Sequence, residues 1–190
     1  MLSIVPEVDF SKLKFLNKNI LLKLESSRLY YRELQQSDAE AMFAMECIPE
    51  VHKYLYDEIA TDIQETHDVI AYIRSQYAEE GIGRMATFLK ATDEFIGWTG
   101  LKLESSTNSD KQFYDVGYQL MPQHWGKGYA TEATEFFLDY AFNILEADEV
   151  NAYAHTANKA SMRVLEKCGL NPVQNFMSDG HDTVWFAIKK

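Results

Sequence analysis

Cysteine is scarce in this sequence: among 190 residues only Cys47 and Cys168 carry a thiol, and they lie far apart. Neither belongs to a CxxC pair, and no Cys/His cluster has the spacing of a zinc site. A disulfide framework is therefore not predicted, and we expect no metal cofactor. Reduced thiols are typical of the cytoplasm, which is the localisation that we predict.

Proline and glycine are also few, with four and nine residues. No stretch rich in them separates two halves of the chain, and no repeat or low-complexity segment is visible. A chain of this length suffices for one domain with a sizeable core. We therefore predict a single domain over residues 22–190, preceded by an extension over residues 1–21 that has no clear hydrophobic period.

Long apolar runs are absent as well. The most apolar stretch, residues 136–145, is interrupted by Asp139 and is too short to cross a bilayer. Near the N-terminus, Glu7 and Asp9 stand where a signal peptide would have an uncharged core. We therefore expect a protein that has no membrane partner.

Basic residues are the minority: 18 Lys and Arg stand against 29 Asp and Glu, giving a formal net charge of -11. This balance disfavours nucleic acid as a partner, because such binding rests on Lys and Arg that neutralise phosphates. An acidic field attracts cationic partners, amines among them, and repels an anionic cofactor. A phosphate site in this chain must therefore use backbone N–H groups and a few local cations.

The hydrophobic periods that are present predict a mixed α/β fold whose first half is a largely antiparallel sheet. Residues 37–40 form a capping-box pattern that opens a helix. Gly169 fits the C-cap of a later helix, and Pro172 follows just beyond it. In chain order we predict strands at 28–34, 85–90, 94–103, 112–121, 150–155, 172–176 and 183–188, and helices at 39–45, 63–79, 128–144 and 158–168.

The most informative segment is YQLMPQHWGKGYATEA, residues 118–133, in which a strand leads through Gly126 and Gly128 into a helix. The first turn of a helix has unpaired N–H groups and partial positive charge, and glycines allow phosphates to approach the backbone. Lys127 can add a cation. The segment thus predicts a pyrophosphate site, although an ordinary tight connection is the alternative. Neither the dinucleotide fingerprint nor the Walker pattern is met.

A second segment, NKASMRVLEKCGL at residues 158–170, makes the interpretation of the first one more specific. Together they resemble the GNAT acetyltransferases: the first is similar to motif A, [QR]xxGx[GA], through Trp125 to Ala130, and the second to motif B, NxxSxxVLEKxGF. Residues 25–43 resemble the opening of one branch, the ribosomal-protein N-terminal (alanine/serine) acetyltransferases. The likeness covers roughly residues 22–188. It implies the GNAT acyl-CoA N-acyltransferase fold, a mixed central sheet of about seven strands with about four helices.

The resemblance implies direct acetyl transfer from acetyl-CoA to an amine, with an oxyanion and a thiolate formed on the way. A backbone N–H near Tyr118 or Gln119 would polarise the thioester carbonyl. Leu120 and Met121 would pair with the pantetheine arm, and Asn158 would contact that arm or serve as a helix N-cap. The pyrophosphate would be held by Trp125, Gly126, Lys127, Gly128, Tyr129, Ala130 and Thr131.

Two positions depart from the family's catalytic residues: Leu165 stands where some members have a tyrosine acid, and Tyr153 where some have a glutamate base. We therefore predict Ser161 as the acid for the thiolate, with simple packing as the alternative. Asp115 is the predicted base, with a surface charge as the alternative. His155 is a further candidate, although a lone histidine is more often structural.

The acceptor that we expect is an α-amino group of a protein or peptide. Its pKa of about 7.7 to 8.0 requires less help from a base than that of lysine, at about 10.4. The alternatives are a small-molecule amine such as an antibiotic or polyamine, or a module that senses acyl-CoA without turnover. The protein is expected to be a monomer or homodimer. Tyr30, Tyr31, Phe88 and Trp98 are interpreted as core rather than as an acceptor pocket.

Overall fold

The computed structural model describes residues 23–55, 59–105, 112–178 and 180–190. The extension predicted over residues 1–21 lies outside these ranges. Within them the chain forms one eight-stranded sheet and five helices. The strands are β1 Leu24–Glu25, β2 Leu29–Glu33, β3 Arg84–Leu89, β4 Phe95–Ser105, β5 Gln112–Leu120, β6 Glu149–His155, β7 Asn171–Ser178 and β8 His181–Lys189. The helices are α1 Ala39–Glu46, α2 Pro49–His52, α3 Ile63–Glu79, α4 Tyr129–Asn143 and α5 Lys159–Lys167.

The predicted mixed α/β fold is confirmed, with one more strand and one more helix than the sequence indicated. The additional elements are β1, which has two residues, and α2, which has four. Elements this short do not complete a hydrophobic period, so the sequence carries no signal for them. None of the helices in the described part of the chain combines the length and apolar character needed to cross a membrane.

The sheet has the order β1-β2-β3-β4-β5-β6-β8-β7. All neighbouring pairs are antiparallel except β5 and β6, which run parallel. That pair is short: it joins Tyr114 to Val150 and Asp115 to Asn151 and then ends. The remainder of β5, as far as Leu120, continues to pair with β4 but no longer with β6. A wedge-shaped gap therefore opens between β5 and β6 towards their C-terminal ends.

Two apolar cores cover the two faces of the sheet. The larger core joins α4 and α5 to the sheet and includes Tyr31, which stacks on Phe136 with ring centroids 5.0 Å apart. The smaller core lies under α1 and α3 and includes Tyr30, which stacks on Phe88 at 4.8 Å. The interpretation of Tyr30, Tyr31 and Phe88 as core is confirmed, since each is buried. These cores fix β5, α4 and α5 around the gap.

Candidate active site

The backbone of β5 presents polar groups to the gap. Met121 N–H donates to the Ile96 carbonyl at 2.9 Å, on the β4 side of the strand. Because successive residues of a strand direct their N–H and C=O to opposite sides, those of Leu120 and Tyr118 point towards β6. Since β6 has diverged there, these groups face the gap. Gln119 points towards β4, so of the two predicted donors to a thioester carbonyl the geometry favours Tyr118.

The end of β5 departs from the prediction at Met121. Both backbone groups of Met121 are already bonded, the N–H to Ile96 and the carbonyl to His124 N–H at 2.9 Å. Met121 therefore has no free N–H for the pairing with an extended ligand that the sequence predicted, and only the second lone pair of its carbonyl remains for that contact, which stays a prediction. The Leu120 carbonyl accepts a hydrogen bond from Trp125 Nε1 at 2.6 Å, which anchors the exposed indole against the strand. The Leu120 N–H is left on the gap side.

The N-terminus of α4 follows this strand after a short loop. Gly128 is its N-cap residue, with φ of 81°, and among the described residues no side chain accepts a hydrogen bond from its first turn. Glu132 N–H donates to the Gly128 carbonyl at 3.0 Å, so the preceding N–H groups, those of Tyr129 to Thr131, lack intrahelical acceptors. Gly126 also has a positive φ, 73°, which favours glycine. The arrangement is that of an anion site open to solvent.

Helix α5 borders the other side of the gap. Asn158 is its N-cap, and its Oδ1 accepts the Ser161 N–H at 3.1 Å. The N-cap interpretation of Asn158 is therefore confirmed, while its contact with a cofactor stays a prediction. The Tyr118 hydroxyl lies 2.8 Å from Ser161 Oγ and donates to the Ser161 carbonyl at 3.3 Å. β5 and α5 are thus linked by two hydroxyl groups.

A family model for the acetyltransferase (GNAT) domain matches residues 28–171. The chain belongs to the GNAT acetyltransferases. It is 32% identical over 142 residues to an uncharacterised N-acetyltransferase, p20, of Bacillus licheniformis, covering 75% of this chain and 78% of the relative. A spermidine N(1)-acetyltransferase of Vibrio cholerae is 22% identical over 163 residues, covering 86% of this chain and 87% of that protein.

The GNAT fold is also shared with RimL, a ribosomal L7/L12 alpha-N-protein acetyltransferase solved in complex with coenzyme A. Its structure superposes with a TM-score of 0.74, covering 88% of this chain and 98% of that chain at 16% identity. At this identity the likeness shows the fold alone. The family and fold together make the chain an acyl-CoA-dependent N-acetyltransferase, and the predicted resemblance is confirmed.

Within motif A, Gln123 rather than Trp125 occupies the first position, because two residues separate it from Gly126.

Asp115, the predicted base of this GNAT enzyme, lies inside the sheet. Its side chain is 2% exposed and forms an ion pair with Arg84 of β3, whose Nη1 also donates to the Asp115 carbonyl at 2.8 Å. Burial raises the pKa of the Asp115 carboxyl, and the Arg84 charge opposes that shift. A methyl group on Gly117 would lie 2.7 Å from Arg84, so glycine leaves room for the guanidinium. Asp115 therefore has a structural role, because no acceptor amine can reach a carboxylate enclosed in this way.

His155 is also poorly placed as a base. Its Nδ1 accepts the Ala157 N–H at 3.0 Å, so the neutral ring carries its proton on Nε2. In that tautomer neither ring nitrogen has a lone pair available for an incoming proton. The ring packs instead between Tyr54, at 5.6 Å, and His181, at 5.8 Å. His155 thus packs at the end of β6, and its contacts indicate a structural role.

Two side chains that sequence reasoning overlooked belong to the site. The sequence did not indicate the contact of the Tyr118 hydroxyl, because its partner, Ser161, lies on a helix distant in sequence. Arg28 lies beside the α4 N-terminus, where its Nη1 donates to the Lys127 carbonyl at 3.0 Å. A basic residue in a turn before a strand has no distinctive sequence pattern, so only the fold brings Arg28 to the loop that precedes α4.

An aromatic surface borders the gap on the β6 side. Tyr153, 44% exposed, stacks on Trp185 with ring centroids 6.5 Å apart and planes inclined by 15°. Phe113 and Phe176 pack edgewise on the same indole, at 4.9 and 6.2 Å. The indole N–H donates to Asn151 Oδ1 at 3.1 Å, which fixes its orientation. This surface is aromatic and, at Tyr153, exposed to solvent.

Proposed function

We propose that this GNAT enzyme transfers acetyl from acetyl-CoA to the α-amino group of a peptide or protein. The observation that carries the proposal is that both candidate bases, Asp115 and His155, are engaged elsewhere. If neither residue accepts the proton of the amine, the acceptor must already be neutral in solution when it attacks the thioester. At pH 7.4 about a third of an α-amine with pKa about 7.7 is neutral, against about one in a thousand for lysine at about 10.4.

The residues around the gap fit acetyl-CoA. The uncapped first turn of α4 and the glycines before it suit a diphosphate, and the split between β5 and β6 suits an extended arm. Acetyl-CoA supplies an acetyl group activated as a thioester, whose sulfur needs a proton after transfer. Residues 125–131 would hold the diphosphate, and Leu120 N–H and Asn158 would hold the arm. Tyr118 N–H would donate to the thioester carbonyl oxygen.

The proton for the sulfur would be relayed by Ser161. A thiol has a pKa of about 8.5, so no strong acid is needed: Ser161 would pass its hydroxyl proton to the departing sulfur and regain one, directly or through an ordered water, from the nitrogen of the attacking amine. Tyr118 holds the Ser161 hydroxyl in place across 2.8 Å. Burial raises the pKa of Tyr118, so this tyrosine remains a neutral hydrogen-bond partner throughout the physiological range.

The aromatic surface of Tyr153 and Trp185 would receive the chain that carries the amine. RimL, whose fold this chain shares, is named as an acetyltransferase of a ribosomal protein α-amine. A polyamine acceptor is the second candidate, because the protein is acidic, with a net charge of -11, and has a spermidine acetyltransferase among its relatives. A polyamine's high pKa argues against it in the absence of a base.

The test is release of free thiol from acetyl-CoA with three acceptors. One is a peptide with a free N-terminus and an internal lysine, the second is the same peptide with its N-terminus blocked, and the third is spermidine. We expect turnover with the first peptide alone, and mass spectrometry should locate the acetyl group on the N-terminus. Turnover with spermidine alone would favour the polyamine enzyme. Tight cofactor binding without thiol release would overturn catalysis and indicate a sensor.

A further inference from the structure

We propose that Arg28 makes the first turn of α4 able to bind an anion, by neutralising Glu132 and by offering a guanidinium N–H at the phosphate loop. The proposal rests on the proposed function, since the anion is the diphosphate of acetyl-CoA. Arg28 lies in the turn directly before β2, so a residue far from both family motifs in sequence becomes a binding and positioning residue for the cofactor.

Glu132 is unusual because it places a carboxylate in the first turn of the helix that is expected to face a diphosphate. Its side chain is 13% exposed and accepts three hydrogen bonds from the β1–β2 turn. The Arg28 backbone N–H donates to Oε1 at 2.6 Å, Arg28 Nε to Oε2 at 2.6 Å, and the Ser26 hydroxyl to Oε1 at 2.7 Å. The Ser26 hydroxyl is in turn held by the Tyr31 hydroxyl at 2.9 Å.

The charge of Glu132 is permanent at neutral pH. Burial opposes its ionisation, but the hydrogen bonds from Arg28 and Ser26 outweigh burial and lower the pKa of Glu132 below its usual value. An ionised carboxylate in this position repels phosphates unless a cation compensates it. Arg28 is that cation, because its guanidinium contacts the carboxylate directly.

The remaining donors of Arg28 lie at the phosphate loop itself. Nη1 donates to the Lys127 carbonyl at 3.0 Å, and the guanidinium lies over the Tyr129 ring, 4.6 Å from its centroid. Nη2 lies 3.4 Å from the position that a Cβ would occupy on Gly128. Among the described residues Nη2 has no hydrogen-bond partner, so its two N–H groups are left at the loop for a phosphate oxygen. Arg28 is 48% exposed, which leaves this side open to a ligand.

A purely structural tether between the β1–β2 turn and α4 is the alternative that the experiment must separate. The chain offers a matched control in Arg32, on the strand that Arg28 precedes, which pairs with Asp38 through two bonds of 2.7 Å. The Arg32 pair ties β2 to the turn before α1 and lies away from the phosphate loop. Arg32→Gln therefore removes a comparable ion pair from β2 without touching the proposed function of Arg28.

The experiment compares two acyl donors, acetyl-CoA and S-acetylpantetheine, which lacks the diphosphate. Arg28→Gln should lower kcat/KM for acetyl-CoA about tenfold, through KM, and leave kcat/KM for S-acetylpantetheine unchanged, since one charge-assisted contact is lost. Arg28→Gln combined with Glu132→Gln should recover at least about threefold of that loss, because the repelling charge is gone. Arg32→Gln should leave kcat/KM unchanged for both donors.

Each other outcome has a definite meaning. An equal loss with both donors, or no recovery in the double variant, would overturn the proposal and leave a structural tether. If Arg28→Gln fails to fold, Arg28→Lys takes its place, because it keeps the charge but loses the forked guanidinium. It should lower kcat/KM for acetyl-CoA by less than the tenfold expected of Arg28→Gln and leave kcat/KM for S-acetylpantetheine unchanged. An equal loss with both donors would again overturn the proposal. A wild-type protein that releases no thiol from either donor would refute the proposed function instead.

Discussion

Replacing Gly128 by alanine is the most informative single change. The same replacement at Gly81 measures the cost of backbone strain alone, so that the effect on ligand binding can be distinguished from it. Gly128 has φ of 81° and Gly81 has φ of 75°, so both adopt a left-handed conformation that alanine tolerates poorly. A Cβ on Gly81 would meet nothing within 4 Å, and a Cβ on Gly128 would meet Arg28 Nη2 alone, at 3.4 Å. Neither alanine creates a clash with the protein, and Gly81 precedes β3, outside the gap.

The two variants should lose similar stability but different affinity. A non-glycine residue in the left-handed region costs about 1 to 2 kcal/mol, so both should lower the free energy of unfolding by about that amount. The Gly128 methyl would also stand between Arg28 and the α4 N-terminus, where a phosphate must approach. Loss of one charge-assisted hydrogen bond, about 1.5 to 3 kcal/mol, should weaken coenzyme A binding roughly ten- to a hundredfold.

Urea denaturation and isothermal titration with coenzyme A check the two quantities on the same samples. Gly81→Ala should bind coenzyme A as the wild type does, despite its lower stability. Equal affinity of the two variants would refute the reasoning, because the α4 N-terminus would then not contact the phosphates.

Three further predictions concern the site and its supports. Ser161→Ala should lower kcat about tenfold to a hundredfold with little change in coenzyme A affinity. Tyr118→Phe should do the same, and the double variant should be no worse than the poorer single one, since the two hydroxyls act as a unit; additive losses in rapid-quench assays would contradict this. Asp115→Ala should cost about 3 to 5 kcal/mol in denaturant titrations because it leaves Arg84 buried and unpaired, whereas a loss below about 0.5 kcal/mol would indicate a surface charge. Burial raises the pKa of the Tyr31 hydroxyl, so this group should lower the stability by about 1.4 kcal/mol per pH unit above pH 10, as the unfolded chain ionises. In denaturant titrations Tyr31→Phe should therefore lose stability less steeply with pH than the wild type by that amount, and equal slopes would contradict the prediction.

The sequence predicted the parts of this protein that depend on local pattern. The period-two strands and period-3.6 helices recovered β2 to β8 and four of the five helices, because each buries one face along several residues. Gly126 and Gly128 indicated a loop leading into a helix, since positive φ angles select glycine. The N-cap at Asn158 could be predicted because asparagine is favoured at that position.

The features that sequence reasoning missed depend on which distant elements meet. Asp115 lies at a strand position that was expected to border a cleft, but Arg84 of β3 reaches it across β4 and turns a predicted base into a buried ion pair. Met121 continues the strand pattern, yet its backbone is already bonded to Ile96 and His124. Such pairings are fixed by sheet order and register, which no single segment encodes.

The central claim, that the α4 N-terminus faces the diphosphate and the β5 edge faces the pantetheine arm, is tested most directly by NMR. In ¹⁵N-labelled protein titrated with coenzyme A, the amides of Tyr129, Ala130 and Thr131 should shift together with those of Tyr118 and Leu120. Pantetheine, which lacks the diphosphate, should shift the two β5 amides and leave the three helix amides in place. Helix amides that do not move at saturating coenzyme A would contradict the account.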